Sequence, residues 1–250
     1  MQTKLTCQIF SDMHLESGIN LWKFVTPQAP IAIVAGDIDS HDFADSLNII
    51  AEKFEQVIAV PGNHDFYHND INWMKSTNID LVPNVKLLDR SHFEYNGALF
   101  IGATLWSDLK NGDPLCYNAA YRGINDFRVI RVGEDEIFTP QHMIELHNKD
   151  AAYLKTMLQL NRDKKVVVVT HFMPSTRLVN PKWGDCNVNL LNNYFAADCT
   201  DLVENSDAAL WVCGHTHDAA DVMIGNTRVV INPLGYPKEN PHYADLIVEI

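Results

Sequence analysis

Five short apolar runs, each stopping abruptly at Gly, Pro, Thr, Ser or Asp, constrain most strongly what this chain can become. Leu5 to Phe10 runs into Ser11-Asp12-Met13-His14, and Ile31 to Ala35 into Gly36-Asp37. Val57 to Val60 leads to Pro61-Gly62-Asn63-His64-Asp65, Val166 to Val169 to Thr170-His171, and Ala208 to Cys213 to Gly214-His215-Thr216-His217. Such runs are short for helices and rich in strand formers, so they read as buried parallel strands. Ligand sites in α/β sheets lie beyond the carboxyl ends of the strands. Strands of compatible direction therefore deliver Asp12, His14, Asp37, Asn63, His171, His215 and His217 to one edge.

These donors are carboxylate and amide oxygens and imidazole nitrogens with no thiolate, a mixture suited to borderline divalent ions such as manganese, iron or zinc. One ion takes about four to six ligands, so this many side chains fits two ions sharing a carboxylate. Paired ions roughly 3.5 to 4 Å apart clamp the attacking and leaving oxygens in phosphoryl displacement. Taken singly the motifs say less. Asp12-Met13-His14 is a common triplet in which Asp12 would serve as a helix cap, and Gly62-Asn63-His64-Asp65 would serve as a tight turn. In extended backbone, residues two apart point the same way, so His215 and His217 address one cavity. Their joint occurrence, each after a strand, makes the case.

Composition sets the bounds. The net charge of −13 over 250 residues disfavours a long polyanionic partner, because duplex binding draws its affinity from Lys and Arg on phosphates. No basic leader with a sustained apolar core and no run of ~18 apolar residues appears, so neither secretion nor membrane insertion is indicated and a cytoplasmic location is expected. Cys7, Cys116, Cys186, Cys199 and Cys213 are odd in number and lack paired spacing, which reads as reduced, packed thiols, Cys213 included. No linker or repeat interrupts the chain, so residues 1–250 read as one domain. A helix is expected over Phe43 to Phe54 and another from Thr139-Pro140 to about Leu160, with a further helix around Val188 to Phe195. The stretch at about 105–132, rich in Tyr, Asn, Asp, Gly and Arg, reads as a long loop-rich insertion. Later strands, Val222 to Ile224, Arg228 to Ile231 and Leu246 to Ile250, suggest a second sheet stacked on the first with helices outside both.

The ordered series Asp12-x-His14, Gly36-Asp37, Gly62-Asn63-His64-Asp65, His171 and Gly214-His215-x-His217 resembles the calcineurin-like metallophosphoesterase superfamily, in its small bacterial-type branch, and spans nearly the whole chain. The resemblance implies a four-layer α/β/β/α sandwich of two mixed sheets. It implies that Asp12, His14, Asp37 and His217 hold one ion, that Asp37, Asn63, His171 and His215 hold the other, and that Asp37 bridges. Manganese or iron comes first, with zinc, magnesium or nickel as alternatives. It further implies that a hydroxide between the ions attacks phosphorus while His64, not a ligand, is the catalytic residue, donating to the leaving oxygen or to a developing negative oxygen. Asp65 stands where many relatives carry Glu, which leaves open which carboxylate orients His64. The second Asp of the phosphoprotein phosphatases falls on Ser40, with Asp39 one position early, which argues against that branch.

The expected activity is hydrolysis of a small, nucleotide-like phosphodiester or phosphomonoester. The alternatives are a nucleotide pyrophosphatase or nuclease of the same superfamily, or a non-catalytic metal-binding scaffold. Arg122 and Asn125 are candidate substrate contacts, Arg122 as a fork to phosphate, although an ordered surface loop packed by its aromatics explains that stretch as well. Tyr236, in Asn232-Pro233-Leu234-Gly235-Tyr236, is a third candidate, with a plain turn the simpler account. His142 and His147, five apart on a helix, do not share a face.

Overall fold

The computed structural model describes residues 5–23, 25–77 and 79–250. The strands are β1 (Thr6–Phe10), β2 (Ile31–Ala35), β3 (Gln56–Val60), β4 (Val85–Leu87), β5 (Ser91–Tyr95), β6 (Ala98–Gly102), β7 (Arg131–Val132), β8 (Glu136–Ile137), β9 (Lys165–Val169), β10 (Leu210–Cys213), β11 (Ala220–Ile224), β12 (Thr227–Ile231) and β13 (Leu246–Glu249). The α-helices are α1 (Phe43–Ala51), α2 (Trp73–Ser76), α3 (Leu109–Gly112), α4 (Pro114–Gly123), α5 (Asp126–Val129), α6 (Pro140–Leu160), α7 (Asn192–Phe195) and α8 (Thr200–Glu204).

One sheet runs β13-β1-β2-β3-β4 and the other β11-β12-β10-β9-β6-β5. Strands β1 to β4 are parallel, as are β6, β9, β10 and β12, while β13, β5 and β11 join antiparallel at edges. Period-two alternation assigns the faces. In β2, Ile31 and Ile33 enter a cluster shared with Phe100, Val167 and Val212 of the other sheet. Ala32 and Val34 meet Phe43, Leu47 and Ile50 of α1. The outer face of the second sheet, with Ile101, Val168 and Trp211, packs on Leu154 and Leu158 of α6 and Val203 of α8. The four-layer α/β/β/α sandwich is thus observed, and strands covered on both faces explain the continuous apolar runs. Burying each such Val, Leu or Ile stabilises the fold by about 1.5–3 kcal/mol.

The 105–132 stretch departs from the expected loop, since it folds into α3, α4, α5 and the start of a small hairpin, β7 with β8. Asp113 starts α4, its carboxylate accepting from the N–H groups of Leu115 and Cys116 at 2.9 and 3.1 Å, with Pro114 in the first turn. The helix buries Cys116 and Ala120, two small residues that leave little periodic signal. Helix α6 begins as expected, and His142 closes a capping box with Thr139. His147 instead is buried, its Nδ1 2.7 Å from the Trp106 carbonyl. The helix expected over 188–195 is confined to α7, and the Asn189 and Asn192 side chains donate to the Trp183 carbonyl. No helix among the described residues is long and apolar enough to cross a membrane.

Candidate metal centre

Chain segments leave β1, β2 and β10 through left-handed backbone. Asp12 has φ 50°, His14 44°, Asp37 53°, His215 72° and His217 54°. For residues with a Cβ this conformation is sparsely populated and costs of order 1–3 kcal/mol each. It turns the chain sharply enough that carboxylate and imidazole point back over the sheet edge. His215 and His217 therefore reach the site by a route other than the extended one expected, since two left-handed residues flank Thr216. Glycine is required where these turns crowd together. A Cβ on Gly36, itself at φ 79°, would lie 2.4 Å from His171 Nδ1, and one on Gly62 would lie 2.1 Å from Asp37 Oδ1.

The seven expected donors converge. Asp12, His14, Asp37 and His217 place ligand atoms within 4.8 Å of one another, and so do Asp37, His171 and His215. Asp37 belongs to both groups: its Oδ2 lies 3.7 Å from His14 Nε2 and 3.3 Å from His171 Nε2. His14 Nε2 faces His217 Nε2 at 3.0 Å, and His171 Nε2 faces His215 Nδ1 at 3.1 Å. Asn63 Oδ1, 3.0 Å from His171 Nε2, joins the second group.

Imidazole nitrogens do not bury themselves facing one another without something to share. Burial alone would lower His171, but the Asp37 carboxylate outweighs it and pushes the imidazole up to about 9. His14, likewise opposed by burial, is raised by Glu16 and Asp37. Asp12 Oδ2 and His215 Nε2 are buried with no hydrogen-bond partner. Concentrated carboxylate charge, imidazole nitrogens gathered 3.0–3.1 Å apart and an orphaned carboxylate oxygen fit divalent cations in the two overlapping groups.

The far sides of these donors are held. Glu16 Oε1 lies 3.0 Å from His14 Nδ1, Glu239 Oε2 2.7 Å from His217 Nδ1, and the Ala35 carbonyl 2.9 Å from His171 Nδ1. Asn63 Nδ2 donates to Asp126 Oδ1 at 2.9 Å, aiming the amide oxygen inward. Asp126 is fully buried and also accepts from the hydroxyls of Tyr67 and Tyr194.

Asp65 does not orient His64. Its carboxylate accepts the backbone N–H groups of Asp37, Ile38, Asp39 and Gly62, fastening the loops after β2 and β3 together. Burial, reinforced by Asp37, pushes it up to about 7 against those bonds. Asp39 accepts from the N–H groups of His41 and Asp42 and from Ser46 Oγ at the start of α1. The His64 ring is held by aromatics: it stacks on Tyr67 at 4.1 Å, meets His14 edge-on at 4.7 Å, and its Nδ1 is 3.4 Å from Tyr236 Oη. Tyr236 in turn stacks on His14 at 4.2 Å.

A cleft of about 510 Å³ opens beside the clusters, and Asn125 and Tyr236 line it. Arg122 does not. It is exposed at the end of α4, and its carbonyl accepts from Arg128, so the expected fork to phosphate is not presented to the site. Glu16, Glu239, Tyr67 and Tyr194 were outside the sequence expectations. Glu16 and Tyr67 lie just beyond the motif residues that follow β1 and β3, whereas Tyr194 and Glu239 come from segments outside those motifs.

Residues 9–219 match the family described as calcineurin-like phosphoesterase. An uncharacterized protein of Acanthamoeba polyphaga mimivirus is 28% identical over 271 residues, covering 94% of this chain and 95% of its own. Among solved structures, phosphopantetheinyl hydrolase (PptH) from Mycobacterium tuberculosis superposes with a TM-score of 0.71 at 20% identity, covering 99% of this chain and 97% of that one. A putative 5'-nucleotidase from Staphylococcus aureus, solved with alpha-ketoglutarate, gives 0.51 at 13% identity over 92% of this chain and 48% of that one. The structural likenesses are likenesses of fold, and the family match embraces all seven convergent donors. The chain belongs to the calcineurin-like phosphoesterase family.

Proposed function

We propose that this protein is a dinuclear-metal-dependent phosphoesterase acting on a small phosphodiester or phosphomonoester. The observation that carries this reading is the pair of donor clusters sharing Asp37, with His64 outside both and gathered instead with His14 and Glu16. Asp12, His14, Asp37 and His217 would hold one ion, and Asp37, Asn63, His171 and His215 the other, with manganese or iron suited to this donor set. When bound, the two ions supply Lewis acidity toward phosphate and a lowered pKa for water between them. His64 is the proton donor to the leaving oxygen. Burial holds its imidazole below the ordinary value, and Tyr67 and Tyr236 contact the ring. The complete donor set and the retained His64 beside it support an enzyme over a metal-binding scaffold. A nuclease is disfavoured by a cleft lined by no Lys or Arg.

Hydrolysis of bis(p-nitrophenyl) phosphate with added manganese, abolished by chelation, is the expected result. His64→Ala should retain the metal while lowering kcat about 10²–10⁴-fold. Absence of turnover with any of manganese, iron or zinc would overturn the proposal, and full activity of the variant would overturn the role of His64.

A further inference from the structure

We infer that the cleft beside the donor clusters receives a neutral, largely apolar arm of the phosphate ester and selects against an arm carrying a second phosphate. This deepens, and rests on, the phosphoesterase reading above. Asp37, Asn63, His64 and His215 share the cleft with Ile124, Val179, Trp183, Leu191 and Phe195, so a phosphate at the clusters puts its ester substituent against carbon. Concave, mostly apolar walls with a few polar groups are the usual form of a small-molecule site.

Trp183 is the informative wall. Its side chain is 51% exposed, yet the residue is tied at both ends. Indole Nε1 donates to Asp218 Oδ2 at 2.6 Å, and its carbonyl accepts from Asn189 and Asn192 at 3.1 and 3.3 Å. A large ring left in water but held by several hydrogen bonds is prepared for an apolar contact.

The charges point the same way. No lining residue is Lys or Arg, and Glu239 adds negative charge to the rim. Two nearby cations already have partners: Lys182 pairs with Asp218 while its ammonium lies 4.8 Å from the centre of the Trp183 ring, and the Arg128 guanidinium donates to the carbonyls of Ile124 and Arg122. A terminal phosphate held inside the cleft would lose hydration among lining residues that include Glu239 and no Lys or Arg.

The test uses p-nitrophenyl phosphodiesters that differ in the second ester alone: methyl, hexyl, and a three-carbon arm ending in phosphate. With manganese present, kcat/KM should be about tenfold higher for hexyl than for methyl, and lower for the phosphate-ended arm than for methyl. Trp183→Ala should cut the hexyl-to-methyl ratio about threefold. A phosphate-ended arm hydrolysed faster than hexyl, or a ratio untouched by the variant, would overturn the inference. If none of the three is hydrolysed, the phosphoesterase reading falls by itself. Calorimetric binding of the same compounds with manganese then decides the arm preference, hexyl tightest supporting it and phosphate-ended tightest overturning it.

Discussion

Asp150 and Asp37 are both removed from water, and the structure provides for them in opposite ways. Asp150, on α6, meets the Arg90 guanidinium with one oxygen and accepts the Leu105 N–H at 2.9 Å with the other. Its needs are met from within the chain. Asp37, after β2, accepts the His64 N–H at 2.9 Å on one oxygen and turns the other toward two imidazoles, in left-handed backbone and beside an orphaned Asp12 oxygen. The contrast teaches that burial of charge is not itself a sign of function. A buried carboxylate closed by a cation and a backbone donor is architecture, whereas one gathered with several imidazoles beside an orphaned carboxylate oxygen has a donor set suited to a cation from outside.

Replacing Asp37 should produce the largest effect. Asp37→Asn removes the donor common to both groups, so kcat/KM should fall by at least about 10³-fold, with bound metal reduced after dialysis and elemental analysis. Asp37 also accepts the His64 N–H and lies 3.3 Å from the His171 imidazole, so unfolding of the metal-free variant beside the metal-free parent separates loss of the site from loss of fold. Undiminished metal content would break the contrast at its first term.

Arg90→Ala tests the other side. Leaving the Asp150 carboxylate buried without its cation should cost about 3–5 kcal/mol, read from denaturant unfolding, with metal content unchanged. Burial already pushes the Asp150 carboxyl up to about 6 despite Arg90. With the folded value above the ordinary one, protonation is favoured in the folded state. The stabilisation is complete well below the ordinary carboxylate range and is lost as pH rises through about 6. The variant should therefore regain stability as pH falls from about 8 to about 5 relative to the parent. A flat difference would show that Asp150 is not the group left stranded.

Much of this contrast was legible before the structure, and the limits have physical causes. Buried parallel strands must be apolar on both faces, so their ends were visible as sudden polar residues, and Asp12, His14, Asp37, Asn63, His171, His215 and His217 were visible with them. Edge strand β5 alternates half-buried and exposed positions, a pattern too short to separate from a loop. Helix α4 buries too little to show a period. Arg122 misled because proximity in sequence does not fix direction: at the end of α4 it faces solvent, while Asp126 turns inward to hold Asn63. Arg90 and Asp150 meet across sixty positions, and no local pattern announces such a pair.

The smallest expected effect sharpens the boundary between the two kinds of carboxylate. Glu239 sits outside both donor groups, 2.7 Å from His217 Nδ1, and also accepts the Tyr236 N–H at 2.9 Å. If it serves the centre by holding the imidazole so that Nε2 faces Asp12 and His14, Glu239→Gln should weaken metal affinity about 10-fold, within the range found when outer partners of ligands are lost. A half-exposed carboxylate contributes little to global stability, so unfolding should not move. Competition with a fluorescent chelator reads the affinity, and equilibrium unfolding of the metal-free protein reads the stability. A loss of stability with unchanged affinity would place Glu239 with Asp150 among residues that close the fold. The opposite pattern places it with Asp37, as part of what the fold was arranged to hold.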